Sequence, residues 1–470
     1  MVDCELPHDE RLAWWNPLNW PAGIWVLIIG SLIMSLPFII RTVMLSGVSE
    51  MPEPFDVAEF AKWNVPDEDN AFTDYSLAVE TKAKLGTIAT PPSFDAVMND
   101  GWSKSDEELL TWMQMHRESL DVWRRGTTKQ KGRYVSPLDM SFGTLLPVIQ
   151  EQRMFARLAV LEGYRCLEKG ELDDAYQWGR AIFRAGGHTT YRGCLIQGLV
   201  GVALHSMASN SLQQWAEHPQ VTLTQLTSAL AAVRADEALY EPTSSILKAE
   251  YMTVENTLAS GKWGEVMDQS GGPNSGFVWM AMKSGAWVIG EPDLMRRLYR
   301  QMVANHLREI DKPMAKRTKL VGSAGLFLFD IDPAVPLLRG QMNPQDIDQQ
   351  SKRSILMRLL SPAMKNADEA FLRRRARQSA LEILLAVQAY QRDNGQYPSE
   401  LADVVPKYLD QVPLDAFDRS GGTMRYRRDE AGGAVVWSIG PDGVDGNGDV
   451  VTKTAQPPDV GFVIKQRSEQ

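Results

Sequence analysis

The first pattern along the chain is an uninterrupted apolar segment near the N-terminus. Residues 12–40 carry no charged side chain, and residues 23–40 are almost wholly apolar. About 20 helical residues cross a hydrocarbon core of roughly 30 Å, and tryptophans such as Trp20 precede this segment, as at a membrane interface. The pattern predicts a transmembrane helix over 23–46, between a tail at 1–22 and a linker at 47–70. The buried helix of a soluble protein is the alternative.

The residues that flank the apolar segment bear on processing and orientation. The tail before it is acidic, whereas a signal peptide begins with basic residues, so an uncleaved anchor is favoured. Arg11 and Arg41 flank the segment almost symmetrically, and the positive-inside rule therefore gives no orientation.

Helical periodicity then dominates residues 71–340. Residues 151–170 place apolar side chains along one stripe and stop at Gly170, and a second helix follows and ends at 186–187. Together they predict an αα-hairpin that resembles one tetratricopeptide-type unit, although no second copy appears at that period. Further helices are predicted near 195–217, 222–236, 244–260, 277–289 and 291–309. We therefore expect an α-helical domain over 71–340 and a connecting segment over 341–365.

The net charge and the cysteine spacing limit the classes of partner and the redox chemistry expected of this chain. The net charge of −10 argues against nucleic acid as a partner, because phosphate binding needs a clustered cationic surface. The three cysteines, Cys4, Cys166 and Cys194, have no C-x-x-C spacing. Cys166 and Cys194 are predicted to be buried thiols, with a disulfide between neighbouring helices as the alternative.

The strongest candidate for catalytic chemistry in the middle of the chain is GGHTTY at 186–191. A glycine pair, His188 and two hydroxyls can form an anion nest or a nucleophile site. The favoured interpretation is a helix C-cap at the glycines, followed by Thr189 or Thr190 as the N-cap of the next helix. No histidine pair has a metal-binding spacing.

The last part of the chain, 366–470, changes pattern. A helix is predicted over 366–394, beginning with a basic stretch at 373–377 that would be either a solvated helix face or a contact to lipid or a partner. D-N-G at 393–395 ends it, and a hairpin of short strands at 424–428 and 434–438 follows. These elements predict an α+β domain with a long helix and a small antiparallel sheet.

The order of the short motifs in this domain carries a resemblance. Y-x-x-D-N-G-x-Y-P, then V-P-L-D, then W-S-I-G-P-D-G is similar to the globular domain of the type II secretion system protein G family, the major pseudopilins. The match covers about residues 380–449. The whole chain also resembles large, membrane-anchored bacterial proteins that carry such a domain.

Three departures from the family limit what the resemblance implies. The apolar helix lies over 300 residues upstream instead of at the domain's own N-terminus, the helix at 366–394 is too charged to span a membrane, and Ala416 replaces a proline. We therefore do not expect this chain to polymerise as an ordinary pseudopilin.

The resemblance implies a calcium-binding loop at residues 439–450, IGPDGVDGNGDV. Its acidic side chains alternate with glycines, and calcium takes six to eight oxygen ligands. The expected ligands are the carboxylates and carbonyls of Asp442, Asp449, Ile439, Val444, Asp445 and Asn447. The alternative is an acidic turn without an ion.

The fold class predicted is mainly α: an N-terminal transmembrane helix, a helical middle domain and a pseudopilin-like C-terminal domain. The resemblance implies an inner-membrane protein with one span and its C-terminal bulk outside the cytoplasm. A non-enzymatic role in binding envelope or secretion proteins is favoured. The alternatives are a hydrolase whose site holds His188 with a carboxylate, or a solute- or glycan-binding module with a tryptophan-lined cleft.

Overall fold

The computed structural model describes Pro17 and residues 20–62, 65–260, 284–321, 327–429, 432–451 and 457–465. Within these residues the chain is mainly helical, as the periodicity predicts. The helices are α1 (Ala22–Ser46), α2 (Val57–Ala61), α3 (Ala71–Ala83), α4 (Ser93–Asp100), α5 (Glu107–Met115), α6 (Arg117–Thr127), α7 (Pro147–Glu168), α8 (Leu172–Thr190), α9 (Leu195–Glu217), α10 (Leu223–Asp236), α11 (Thr243–Ala259), α12 (Glu291–Leu307), α13 (Pro344–Ser351) and α14 (Ile355–Asn394). The strands are β1 (Leu320–Val321), β2 (Leu328–Phe329), β3 (Arg425–Arg428), β4 (Ala434–Ser438) and β5 (Val460–Ile464).

The apolar helix α1 agrees with the predicted bounds of 23–46. Its most apolar 18 residues have a mean hydropathy of 2.4, and none of its residues is buried against the rest of the chain. A core helix of a soluble protein would bury most of one face. In the described part of the chain, α1 is the one helix that is long and apolar enough to cross a membrane.

Local sequence signals explain where several helices begin and end. Thr222 caps α10 in a capping box with Gln225, and the Ser354 hydroxyl caps α14 by accepting the Met357 N–H at 3.1 Å. Gly395, in the left-handed region at φ 76°, ends α14 as the D-N-G signal predicts.

Two apolar cores share the long helix α14. The larger core joins α3–α10 to the C-terminal half of α14 and to the sheet. The smaller core, which we call the anchor-side core, joins the residues just after α1 to α11, α12, α13 and the first turns of α14. Since α14 has 40 residues, it is about 60 Å long at 1.5 Å per residue and contributes to both cores.

The predicted hairpin is confirmed and gains a third strand. The strand β4 is the centre of an antiparallel sheet in the order β3-β4-β5, with Trp437 opposite both Arg425 and Gly461. The strand β5 was not predicted, because 21 residues separate it from β4, which is too long a connection for a hairpin signal.

The predicted helix break at GGHTTY is wrong. The helix α8 continues through the glycine pair to Thr190, and the next helix is capped by Cys194 instead of Thr189 or Thr190. The glycines serve close packing, since a Cβ atom on Gly187 would lie 2.6 Å from the Cβ of Leu239. A larger residue would push this neighbouring segment away.

The predicted connecting segment at 341–365 is also wrong in detail. Residues 344–351 form α13, and α14 starts at Ile355, eleven residues before the predicted start at 366. The start is fixed by Glu291 of α12, whose carboxylate accepts the Ser354 hydroxyl at 2.7 Å and the Leu356 N–H at 2.9 Å. This contact between distant segments leaves no local pattern.

The basic stretch at 373–377 is neither a solvated face nor a lipid contact. Arg374 donates to Glu237 at 2.7 Å and lies over the Tyr240 ring, and Arg377 lies over the Phe462 ring. The arginines therefore join α14 to the helical domain and to β5.

The cysteine prediction is confirmed for the described residues. Cys166 and Cys194 are free and buried, and burial raises the pKa of the Cys166 thiol to about 11 and that of Cys194 to about 12. Cys4 and most of the predicted helix at 277–289 lie outside the described residues.

Candidate functional site

The predicted calcium loop follows β4 as an exposed turn. Ile439 is buried at the end of the strand, whereas Asp442, Val444, Asp445 and Asp449 are exposed. Glycines with positive φ at 440, 443 and 448, together with Asn447 at φ 57°, allow the backbone to reverse direction repeatedly. The structure thus brings all six candidate ligands into one short turn, which we call the acidic turn.

An arginine from β3 neutralises one side of the acidic turn. Arg425 donates to Asp415 at 2.7 Å, to Asp418 at 3.0 Å and to Asp445 at 3.0 Å. Asp415 is buried and also accepts the Ile439 N–H at 3.0 Å. One cation therefore ties the segment before β3 to the turn after β4.

The Asp445 carboxylate has both oxygens in hydrogen bonds. One oxygen accepts from Trp437 Nε1 and from the Asn447 N–H, each at 2.9 Å, and the other accepts from Arg425. Burial acts to raise the pKa of Asp445, but these donors outweigh it and the pKa is lowered. This carboxylate is committed to the protein in this arrangement.

Asp459, which the sequence reasoning missed, closes the acidic turn from the other side. Its carboxylate accepts the N–H groups of Gly446 at 3.2 Å, Gly448 at 2.9 Å and Asp449 at 3.0 Å. Burial raises the pKa of Asp459 despite these donors. The sequence signal that could have identified Asp459 is its position directly before the apolar strand β5, which was itself not predicted.

The donor chemistry of the acidic turn fits a calcium ion only in part. Asp442 and Asp449 remain exposed, and one Asp442 oxygen accepts the Val444 N–H at 3.0 Å. Among the described residues, no three His, Cys, Asp or Glu side chains are grouped so that they could hold a metal. Calcium also uses carbonyl oxygens, and the site at 439–450 therefore stays a prediction.

The alternative enzyme site at His188 has a structural explanation. His188 is buried, its Nε2 lies 3.0 Å from the Lys129 carbonyl oxygen and its Nδ1 lies 2.8 Å from the Tyr75 hydroxyl. A carbonyl can only accept, so Nε2 carries the proton and Nδ1 accepts from Tyr75. Burial, followed by the charge of Arg184, lowers the pKa of His188 to about 3.

The charged side chains near His188 are also held in ion pairs and hydrogen bonds. Arg184 and Arg180 both bind Asp236, and Arg184 Nε donates to the Thr127 carbonyl at 2.6 Å. These bonds fasten α8 to the end of α6 and to the end of α10. None of the hydrogen bonds of His188 described here involves a carboxylate.

A cleft of about 1670 Å³ opens beside the C-terminal end of α14. It lies between the turn after α7, the end of α14 and the β3–β4 hairpin. Its charged and polar lining includes Glu168, Lys169, His218, Gln396 and Arg428. No tryptophan belongs to the lining that the structure describes, so the feature expected of a glycan-binding module is missing there. We call this opening the distal cleft.

Comparison with known proteins adds no relative to these observations. No protein family, no curated protein and no solved structure matches this chain.

Proposed function

We propose that this protein is a non-enzymatic, single-pass protein of the bacterial inner membrane that presents its C-terminal domain to another envelope or secretion protein. The observation that carries the proposal is α14. This helix, about 60 Å long, joins the anchor-side core at its start to the distal cleft at its end, and the sheet packs along it from Leu372 onward. A helix of this length can hold a binding surface at a distance from a bilayer, and Pro362 in its third turn is the one position that lacks a backbone N–H donor.

The exposed apolar surface of α1 supports the membrane part of the proposal. A helix with a hydropathy of 2.4 and no buried residue would be poorly soluble in water, and a bilayer satisfies it. The orientation, with the bulk outside the cytoplasm, rests on the resemblance to pseudopilins. Alkaline phosphatase fused after residue 470 should be active, and activity of a cytoplasmic reporter at that position would contradict the proposed orientation.

The buried polar groups of the helical domain support a structural role over catalysis. His188 is held neutral by burial, and its two ring nitrogens are used by Tyr75 and Lys129. A general base must reach a substrate proton and have a pKa near the working pH. His188 meets neither condition.

The distal cleft is the proposed site for the partner. Its lining mixes both signs of charge, from Glu168 and Asp429 to Lys169 and Arg428. Such a surface suits a polar protein segment, since charge complementarity gives specificity and register in protein complexes.

A capture experiment tests the proposal. The full chain would be purified from detergent-solubilised membranes with and without a calcium chelator, with a photo-crosslinking residue at Gln396 in the distal cleft. We expect one envelope protein to copurify and to crosslink at Gln396. The matched control places the same group at Leu110, which is exposed in α5 and outside the cleft. Failure to capture an envelope protein in both conditions would contradict the proposal.

Charge reversal in the distal cleft sharpens the same test. Lys169→Glu changes an exposed residue directly after α7, and Lys84→Glu changes an equivalent exposed residue directly after α3. We expect the first substitution to weaken copurification and the second to leave it unchanged. Equal effects would place the contact elsewhere.

A further inference from the structure

The C-terminal end of α1 is fastened to the helical domain by specific contacts. Arg41 forms an ion pair with Asp293 of α12, and its side chain occupies the space beside Gly290, where a Cβ atom would lie 2.8 Å from it. Two residues further along α1, the Val43 carbonyl accepts from Arg353 at 2.6 Å. The segments around Gly290 and Arg353 therefore lie at the level of residues 41–43 of α1.

That level coincides with the edge of a bilayer if α1 spans it. Counting about 20 residues from Ala22 for a hydrocarbon core of roughly 30 Å ends at Arg41. Arg41 is also the first charged residue after the apolar segment. The lipid headgroup region therefore begins at Arg41. The segments around Gly290 and Arg353, which contact α1 at this level, must border it.

Large apolar side chains are exposed on these same segments. Trp287 is 62% exposed, Val288 40% and Ile355 49%. Trp287 and Val288 lie three and two residues before Gly290, and Ile355 follows the Ser354 cap that binds Glu291 of α12. Tryptophan is enriched at membrane interfaces because its ring is apolar and its N–H is polar. A grouped exposed apolar surface usually marks an interaction site.

We propose that Trp287, Val288 and Ile355 form a second membrane contact, which enters the headgroup region of the bilayer that α1 spans. This inference rests on the proposed anchor. The segments that carry these side chains are bound to α1 through Arg41 and Arg353, and these two cations lie at the level expected for lipid phosphates. The helical domain is then held against the bilayer at two points, so α14 leaves the membrane in a fixed direction.

Depth-dependent fluorescence quenching tests the contact. The full chain carries Cys4→Ser, and its buried Cys166 and Cys194 are protected from labelling. Single cysteines are introduced by Trp287→Cys and, in a second variant, Ile355→Cys, and each carries an environment-sensitive dye. The proteins are reconstituted into vesicles containing lipids with a spin label in the headgroup region or deep in the acyl chains.

Two control positions separate the possible failures. Val444 in the acidic turn is 63% exposed, which matches Trp287, but it lies far along α14 from Ile355. Ile33, 64% exposed in the middle of α1, reports the span itself. We expect deep quenching at Ile33→Cys, headgroup-level quenching at Trp287→Cys and Ile355→Cys, and none at Val444→Cys.

Each remaining outcome is decisive. Quenching at Ile33→Cys without quenching at 287 and 355 overturns the second contact and leaves the anchor intact, as it would if a second copy of this chain covered the surface. No quenching at Ile33→Cys overturns the anchor and, with it, this inference.

Discussion

The ion pairs Arg317–Asp368 and Arg425–Asp445 have similar lengths, 2.9 Å and 3.0 Å, but lie in different environments. The side chains of the first pair, near the anchor-side core, are 1% and 5% exposed, and those of the second, in the acidic turn, are 26% and 47% exposed. A buried charge that loses its partner cannot recover solvation, whereas an exposed one can. The helical region therefore fixes its packing with buried ion pairs, whereas the ion pair of the acidic turn remains partly exposed to solvent.

Acid should affect the helical region most strongly. Burial lowers the pKa of His188 to about 3 and also lowers the pKa values of His205 and His306. The unfolded chain takes up protons below its usual histidine pKa of 6.5, whereas the folded chain does not. Stability is therefore full above pH 6.5 and falls as the pH is lowered towards 3.

For His188 alone the loss is on the order of 5 kcal/mol across that interval. Denaturant unfolding of the full chain in detergent, followed by circular dichroism between pH 3 and 8, measures it. His188→Gln should lower stability at pH 8 but flatten the pH dependence. An unchanged slope in that variant would refute the assignment.

Breaking the buried ion pair should have the next largest effect. Asp368→Ala leaves the Arg317 guanidinium buried without its carboxylate, at a cost of about 3–5 kcal/mol. Asp445→Ala, the matched change in the acidic turn, should cost about 1 kcal/mol because water replaces the partner. Chemical denaturation at neutral pH compares the two variants, and equal losses would abolish the distinction between the regions.

Close packing at the glycine pair of α8 should have an intermediate effect. Gly187→Ala introduces a Cβ atom 2.6 Å from that of Leu239 and should destabilise by about 1–3 kcal/mol. Gly163 is also buried in a helix, but a Cβ there meets its nearest atom at 3.8 Å. Gly163→Ala should be neutral or stabilising by up to about 1 kcal/mol. A thermal melt of each variant checks the difference in sign.

Calcium should have the smallest effect, and it should act only on the acidic turn. At a free concentration ten times the dissociation constant, an ion that binds only the folded state adds about 1.4 kcal/mol. Asp442→Asn combined with Asp449→Asn should abolish the gain, and Asp418→Asn should keep it. If calcium leaves the melting temperature unchanged at millimolar levels, the predicted site is wrong.

The sequence predicted the elements whose signals are local. The helix at 195–217 and the hairpin of β3 and β4 carry their own periodicity, and the Asn394-Gly395 signal ends α14 where expected. The start of α14 was missed although Ser354 is a local N-cap signal, and the contact that holds Ser354, from Glu291, is distant in sequence. The glycines of α8 were misinterpreted, since glycine ends many helices and only the approach of Leu239 shows the other use.

The candidate site also has one part that local sequence signals located and another part that they did not. The sequence located the acidic turn, because acidic and glycine residues alternate over 439–450. It could not show that Arg425 and Asp459 converge on that turn from β3 and from the start of β5. Pairing between separate strands depends on register, which one sequence does not specify.

The continuity of α14 has a mechanical consequence. Its first turns pack in the anchor-side core and its last turns pack under the sheet, without an intervening hinge loop. A pull exerted on the sheet is therefore transmitted along α14 to the segments around α1.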